Sequence, residues 1–153
     1  MADLADPRRI PSGALALGLA GLVPFVAIAL SQWPGGPELL PFATLTSGIV
    51  YGAVILSFLG GIRWGTAIGP YGAWTQARDM AMSVLPSLAA WIAVLLPPSA
   101  GLCLLLIGFL LQALWDVIDV EDGRLPSWFG RLRMMLTAVV VISLLAMLVR
   151  RFI

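Results

Sequence analysis

Every formal charge between Gly13 and Val149 falls in a gap between five long apolar runs. Runs of this length belong in lipid, where a segment must satisfy its own backbone hydrogen bonds and roughly 20 apolar residues cross a core of about 30 Å. Composition agrees: of 153 residues, 60% are hydrophobic and 11% charged, with a mean hydropathy of +0.99, whereas soluble domains carry about 25% charged residues.

The first run, 13–31, follows Arg8 and Arg9. A signal peptide also begins this way, and Ala27-Ile28-Ala29 resembles a cleavage site. The run exceeds the ~7–15 residues of a signal core, which favours a retained helix. The second run occupies 42–62. The stretch 80–115 lacks formal charge, and as one helix it would measure roughly 54 Å, too long for a single crossing. Pro97-Pro98-Ser99-Ala100-Gly101 breaks it, because two prolines remove donors and stop a helix. The uncharged part of the last run, 134–149, is about 24 Å long. Arg131 and Arg133 at one end, and Arg150 and Arg151 at the other, can snorkel to the interfaces. The chain is therefore expected to be all-α, a single five-helix transmembrane domain over 1–153, with helices near 13–31, 42–62, 79–96, 99–118 and 131–150.

Arginine supplies all nine positive charges. With the N-terminus in the cytoplasm, Arg8, Arg9, Arg63, Arg78, Arg124, Arg131 and Arg133 lie inside and only Arg150 and Arg151 outside, the bias that positive-inside retention predicts. The expected location is a bacterial inner membrane with the C-terminus outside. The formal net charge of +1 provides no basic surface for nucleic acid. Histidine is absent and Cys103 is the single cysteine, which excludes intrachain disulfides, Cys/His zinc sites and His-ligated haem. No catalytic, metal or nucleotide constellation is present, so neither an enzyme nor a cofactor is expected.

Between helices in lipid, close approach depends on small residues. The second helix offers Gly48 and Gly52, and a row of Ala53, Ser57, Gly61 and Gly65. The first offers Ala14, Gly18 and Gly21, and the third Ser83, Ser87 and Ala90 around Pro86. Packing within one bundle is the reading preferred over a homodimer seam. Polar residues point to one end: Gln112, Asp116 and Asp119 share a helix face, with Arg63, Arg131 and Arg133 at a similar depth. Arg63, Gln112, Asp116 and Arg131 are the candidate pocket for an anionic headgroup or small ligand. The competing reading is interfacial snorkelling plus a structural Arg63–Asp116 pair. Trp33, Trp64, Trp115 and Trp128 fit an interfacial belt. Trp91 and Tyr51, deeper in their helices, require partners for their polar atoms. Cys103 reads as a buried, inert thiol.

The string YGAVILSFLGGIRWG at 51–65 resembles the signature of a family of small membrane proteins of unknown function that includes transmembrane protein 69 of animal mitochondria. Further similar segments follow in order: LGLAGLVPF at 17–25, SVLPSL at 83–88, the region of Asp116, and Arg131-Leu132-Arg133 before Leu136-Thr137. The resemblance covers nearly the whole chain and implies a bacterial inner-membrane protein with a mitochondrial counterpart and no established activity. His is frequent in the family pattern where Arg63 stands here. Arg neither titrates near neutrality nor ligates metals in the usual way, so a proton-relay or haem-ligand role at that position is in doubt.

Two functions are expected from this reading. One is a non-enzymatic accessory or scaffold protein of an energy-coupling membrane. The other is a binder or carrier of a lipid, quinone or tetrapyrrole. Five helices and many Trp residues resemble tryptophan-rich sensory proteins in outline only, without their motif. The expected partners are the lipid bilayer and either a membrane protein complex or a hydrophobic small molecule. A conventional transporter is disfavoured, since no inverted repeat is apparent.

Overall fold

Helix breakers set the element boundaries. The computed structural model describes residues 9–35, 43–68 and 73–153, with backbone only at 66 and 73–76. Among them are α1 (Ser12–Ser31), α2 (Leu45–Ala67), α3 (Ala73–Leu95), α4 (Pro98–Glu121) and α5 (Ser127–Val149), and no strand. All five are long and apolar enough to cross a membrane. Pro97 caps α4, with Pro98 in its first turn, and Pro126 caps α5, positions where a missing N–H costs nothing. Thr44 starts α2 by accepting the Ser47 N–H at 3.1 Å through Oγ1. Gly123, at φ 72°, ends α4: its N–H donates to the Val120 carbonyl at 3.1 Å and that of Arg124 to the Asp119 carbonyl at 2.8 Å. This left-handed termination is one that glycine adopts without strain.

Helix ends differ from the sequence expectation where a charge was taken as a boundary. The third helix begins at Ala73 rather than near 79, running through Arg78 and Asp79. The second continues past Arg63 to Ala67, and the fifth begins at Ser127 rather than near 131. At about 1.5 Å per residue α5 is then roughly 34 Å long, a full crossing. The expected start at Phe42, together with Arg8 and Glu38, lies outside the described residues.

The packed neighbours are α2 with α3, α4 and α1, and α4 with α5 and α3, while α1 leans mainly on α5. Phe25, Leu56, Leu105, Phe109, Leu144 and Met147 form the interior. Phe25 meets Phe109 edge to face with centroids 5.9 Å apart and Tyr51 at 5.0 Å. Tyr51 finds the partner it requires: its hydroxyl donates to the Gly21 carbonyl at 2.9 Å, joining α2 to α1. Leu17, Phe58, Trp91, Leu111 and Ile142 project outward, as a lipid-facing surface requires. Trp91 is 63% exposed and Cys103 is also exposed, correcting the expectation that both lie among helices. The neighbouring positions Ala90, Ala93, Gly101 and Leu102 face inward instead.

Close approach involves other glycines than those of the expected row. Gly48 lies against Ile28 and Met147, Gly52 against Leu105, and Ala53 is buried. Ser57 is half-buried, while Gly61 and Gly65 face outward with no neighbour within 4 Å of a Cβ among the described residues. A step of four residues advances about 40° beyond a full turn, so three steps carry the row about 120° away from the core. The contacts fall to Gly60, where a Cβ would sit 2.6 Å from the Ser83 carbonyl, to Gly108, 2.6 Å from Leu56, and to Gly101 against the Ala93 carbonyl. Replacing Gly60 with Ala is therefore expected to cost about 1–3 kcal/mol by overpacking against backbone, and Gly61→Ala less than about 0.5 kcal/mol. Thermal unfolding of both variants in mild detergent checks this; a larger loss for Gly61→Ala would return the packing face to the expected row.

Candidate functional site

Three inward stripes become polar at the same level. On α2 the stripe Ile49, Ala53, Leu56 and Leu59 continues to Arg63. On α4 it runs Leu105, Phe109, Gln112, Asp116 and Asp119, and on α5 Arg133, Thr137, Val140, Leu144 and Met147. Spacings of three and four keep each set on one helix face. The stripes converge at the end of the bundle where α2 and α4 finish and α5 begins, hereafter the charged end.

Arg63, Asp116, Asp119 and Arg133 are each at most 6% exposed. Arg133 Nε donates to Asp116 Oδ2 at 2.7 Å. Arg63 Nη2 lies 2.9 Å from Asp119 Oδ2 and 3.7 Å from Asp116 Oδ1. Gln112 Nε2 donates to Asp116 Oδ1 at 3.3 Å. The Arg63 guanidinium carbon stands 3.6 Å from the Trp115 ring centroid, a face that favours a weakly hydrated cation. From the rim, half-exposed Arg124 reaches Asp119 Oδ1 at 3.5 Å, brought there by the glycine-ended turn after α4. The interior of this network holds two arginines and two aspartates and is formally neutral. That balance is what allows ions to be buried, because an unpaired charge in a low-dielectric interior costs several kcal/mol.

Of the four candidate pocket residues, the structure brings Arg63, Gln112 and Asp116 together and leaves Arg131 exposed at the surface. Arg133 takes the inward place, since two residues along a helix rotate a side chain by about 200°. The spacing Arg133, Thr137, Val140 and Leu144 carried that information in the sequence. Trp115, expected in the interfacial belt, serves Arg63 as well. Interfacial snorkelling does not describe Arg63 or Arg133, which are buried within the bundle.

Beside the network is a cavity of about 140 Å³ bounded by α1, α2 and α5, with Phe109 of α4 against it. It lies toward the charged end from the Tyr51–Gly21 hydrogen bond. Leu22, Phe25, Leu59 and Phe109 make its walls apolar, and Arg133 and Thr137 supply its polar side. Arg133 Nη2 and Thr137 Oγ1 are buried and have no hydrogen-bond partner among the described residues.

Residues 10–149 match the family described as "Protein of unknown function (DUF3429)". The chain belongs to the DUF3429 family. It is 39% identical over 155 residues to transmembrane protein 69 of Xenopus tropicalis, covering 96% of this chain and 58% of that protein. It is 34% identical over 142 residues to transmembrane protein 69 of Mus musculus, covering 91% of this chain and 56% of that one. The chain thus spans little more than half the length of these relatives. No solved structure matches the chain. Together with five spanning-length apolar helices, these matches make the DUF3429 chain a membrane protein. The network and the cavity both lie inside the matched region.

Arg63→Ala leaves Asp119 only the half-exposed Arg124 at 3.5 Å and removes a cation beside Asp116, and is expected to cost about 3–5 kcal/mol. Arg131→Ala is expected to change stability by less than about 0.5 kcal/mol. Unfolding of both variants in detergent micelles decides the matter, and equal losses would contradict the assignment of Arg131 to the surface.

Proposed function

We propose that this chain is a non-enzymatic binding protein for a hydrophobic small molecule, resident in a bacterial inner membrane with its N-terminus in the cytoplasm. The observation that carries the reading is the cavity, whose mostly apolar lining includes Arg133 and Thr137 of α5. Binding sites of this type combine apolar lining with a few convergent polar groups. Both acids of the network lie beside arginines, which stay protonated, a pairing that supports binding over catalysis.

The accessory role in an energy-coupling membrane is the second reading. It is favoured by Gly61 and Gly65, which face outward on α2 with no close neighbour among the described residues and offer another helix a close approach. Purification in mild detergent followed by mass spectrometry of proteins and small molecules separates the two. The binding reading expects a lipid-soluble compound retained in near-stoichiometric amount. A stoichiometric protein partner without any retained compound would replace it with the accessory role.

A further inference from the structure

We propose that the first half of α1, from Ser12 to Gly21, is a side gate that swings about Pro24 and opens the cavity to the lipid. The motion stands on the packing of α1 alone, and its use as the ligand's entrance rests on the binding reading.

Packing divides α1 just before Pro24. From Leu22 onward, buried side chains recur at Phe25, Ile28 and Ala29, and beyond the helix end the Gln32 carbonyl accepts from Arg150 Nε at 2.9 Å. That half is anchored. From Ser12 to Gly21 no residue is buried, and Leu17 and Leu19 point outward. Most of this segment is glycine and alanine, whose small side chains make few van der Waals contacts. It comes close to α5 at Gly18, where a Cβ would meet the flexible end of Leu136 at 2.8 Å.

Pro24 makes the junction bendable. It has no N–H for the Ala20 carbonyl and its ring crowds that turn, which is why sharp kinks concentrate at proline. The segment between Ser12 and Pro24 is about 18 Å long. A further bend of about 20° at Pro24 would therefore carry Ser12 roughly 6 Å.

Tyr51 is the latch. Its ring packs edge to face on Phe25, on the anchored side of Pro24, while its hydroxyl donates to the Gly21 carbonyl at 2.9 Å, on the swinging side. A single neutral hydrogen bond has a small net worth and opens readily. The cavity lies beside the swinging half: Leu17, Gly18 and Gly21 line it from α1, and Ile55, Phe58 and Leu59 from α2. Leu17 and Phe58 also stand at the outer surface. Moving the α1 residues outward widens the gap between α1 and α2 where lipid begins, so a molecule dissolved in the bilayer enters without crossing water.

The test is a distance measurement on the full chain in phosphatidylcholine nanodiscs. Spin labels are attached at Gly13→Cys, a position with no neighbour within 4 Å of a Cβ among the described residues, and at Ile118→Cys, exposed on α4, with Cys103→Ala as background. Double electron–electron resonance is expected to show two distance populations for this pair, with Ser12 and Gly13 displaced by about 6 Å between them. Tyr51→Phe keeps the ring contact and removes the bond, and should raise the open-to-closed ratio about fivefold. Pro24→Ala should collapse the distribution to the closed distance, to which simple fraying of the helix terminus would not respond. A second pair, Leu30→Cys beyond Pro24 with Ile118→Cys, should show one distance throughout. A single distance for the Gly13 pair, a ratio that either substitution leaves unmoved, or equal motion at Leu30 would overturn the gate, and the binding reading would survive if the purified chain still retained a lipid-soluble compound. Two populations that respond as expected, without any retained compound, would keep the gate and remove the binding reading.

Discussion

An ion buried among helices in lipid must find its counter-ion inside the bundle, and that constraint organises this molecule. Arg63 arrives on α2, Asp116 and Asp119 on α4 and Arg133 on α5, and none is more than 6% exposed. Apolar packing between helices in a bilayer is only weakly specific, because lipid tails are as good a neighbour as leucine. The network is specific. Sliding α2 by one turn, about 5.4 Å, would separate Arg63 from both carboxylates. The ion pairs therefore fix the axial register of α2 and α5 against α4, the role in which buried polar groups are best attested.

Packing along the rest of the bundle is consistent with that register. Gly48 and Gly52 sit at the levels of Met147 and Leu105, Gly60 at the Ser83–Pro86 turn of α3, and Gly108 against Leu56. At the opposite end, Arg150 Nε donates to the Gln32 carbonyl and Gln32 Nε2 to that of Ala43, each at 2.9 Å, which ties the end of α5 to the end of α1 and the approach to α2. Between these anchored ends α1 meets α2 through Tyr51 and Phe25, and the cavity opens beside that contact toward the charged end. Arg133, Leu136, Thr137 and Val140 line the cavity from α5, and Leu17, Leu22 and Phe25 line it from α1.

The number of helices and their placement in lipid were legible because charge and hydropathy are local properties, and because Pro97-Pro98 divides a stretch too long for one crossing. Helix ends were less legible. Arg63 and Arg78 looked like boundaries, yet a charge ends an apolar run without ending a helix when the bundle partners it or the helix emerges from lipid. The polar pairing of Arg63 with Asp116 and the shared face of Gln112 and Asp116 could be read from spacing. Choosing Arg133 over Arg131 required following the inward stripe of α5 back from Leu144 to its start. The row ending in Gly61 and Gly65 failed because a strict four-residue repeat rotates away from a 3.6-residue helix. The cavity was not legible, since it depends on how far α5, remote in sequence, stands from α1 and α2.

The central claim is that the buried charges act as one coupled unit, and a double-mutant cycle of Arg133→Met and Asp116→Leu tests it most directly. With unfolding followed in the same detergent for all four proteins, each single substitution should be strongly destabilising, because it leaves a buried charge unmatched. The double variant should lose less than the sum of the two, with a coupling of about 1–3 kcal/mol. Losses that add within about 0.5 kcal/mol would show that the two residues do not share an interaction and would contradict the account.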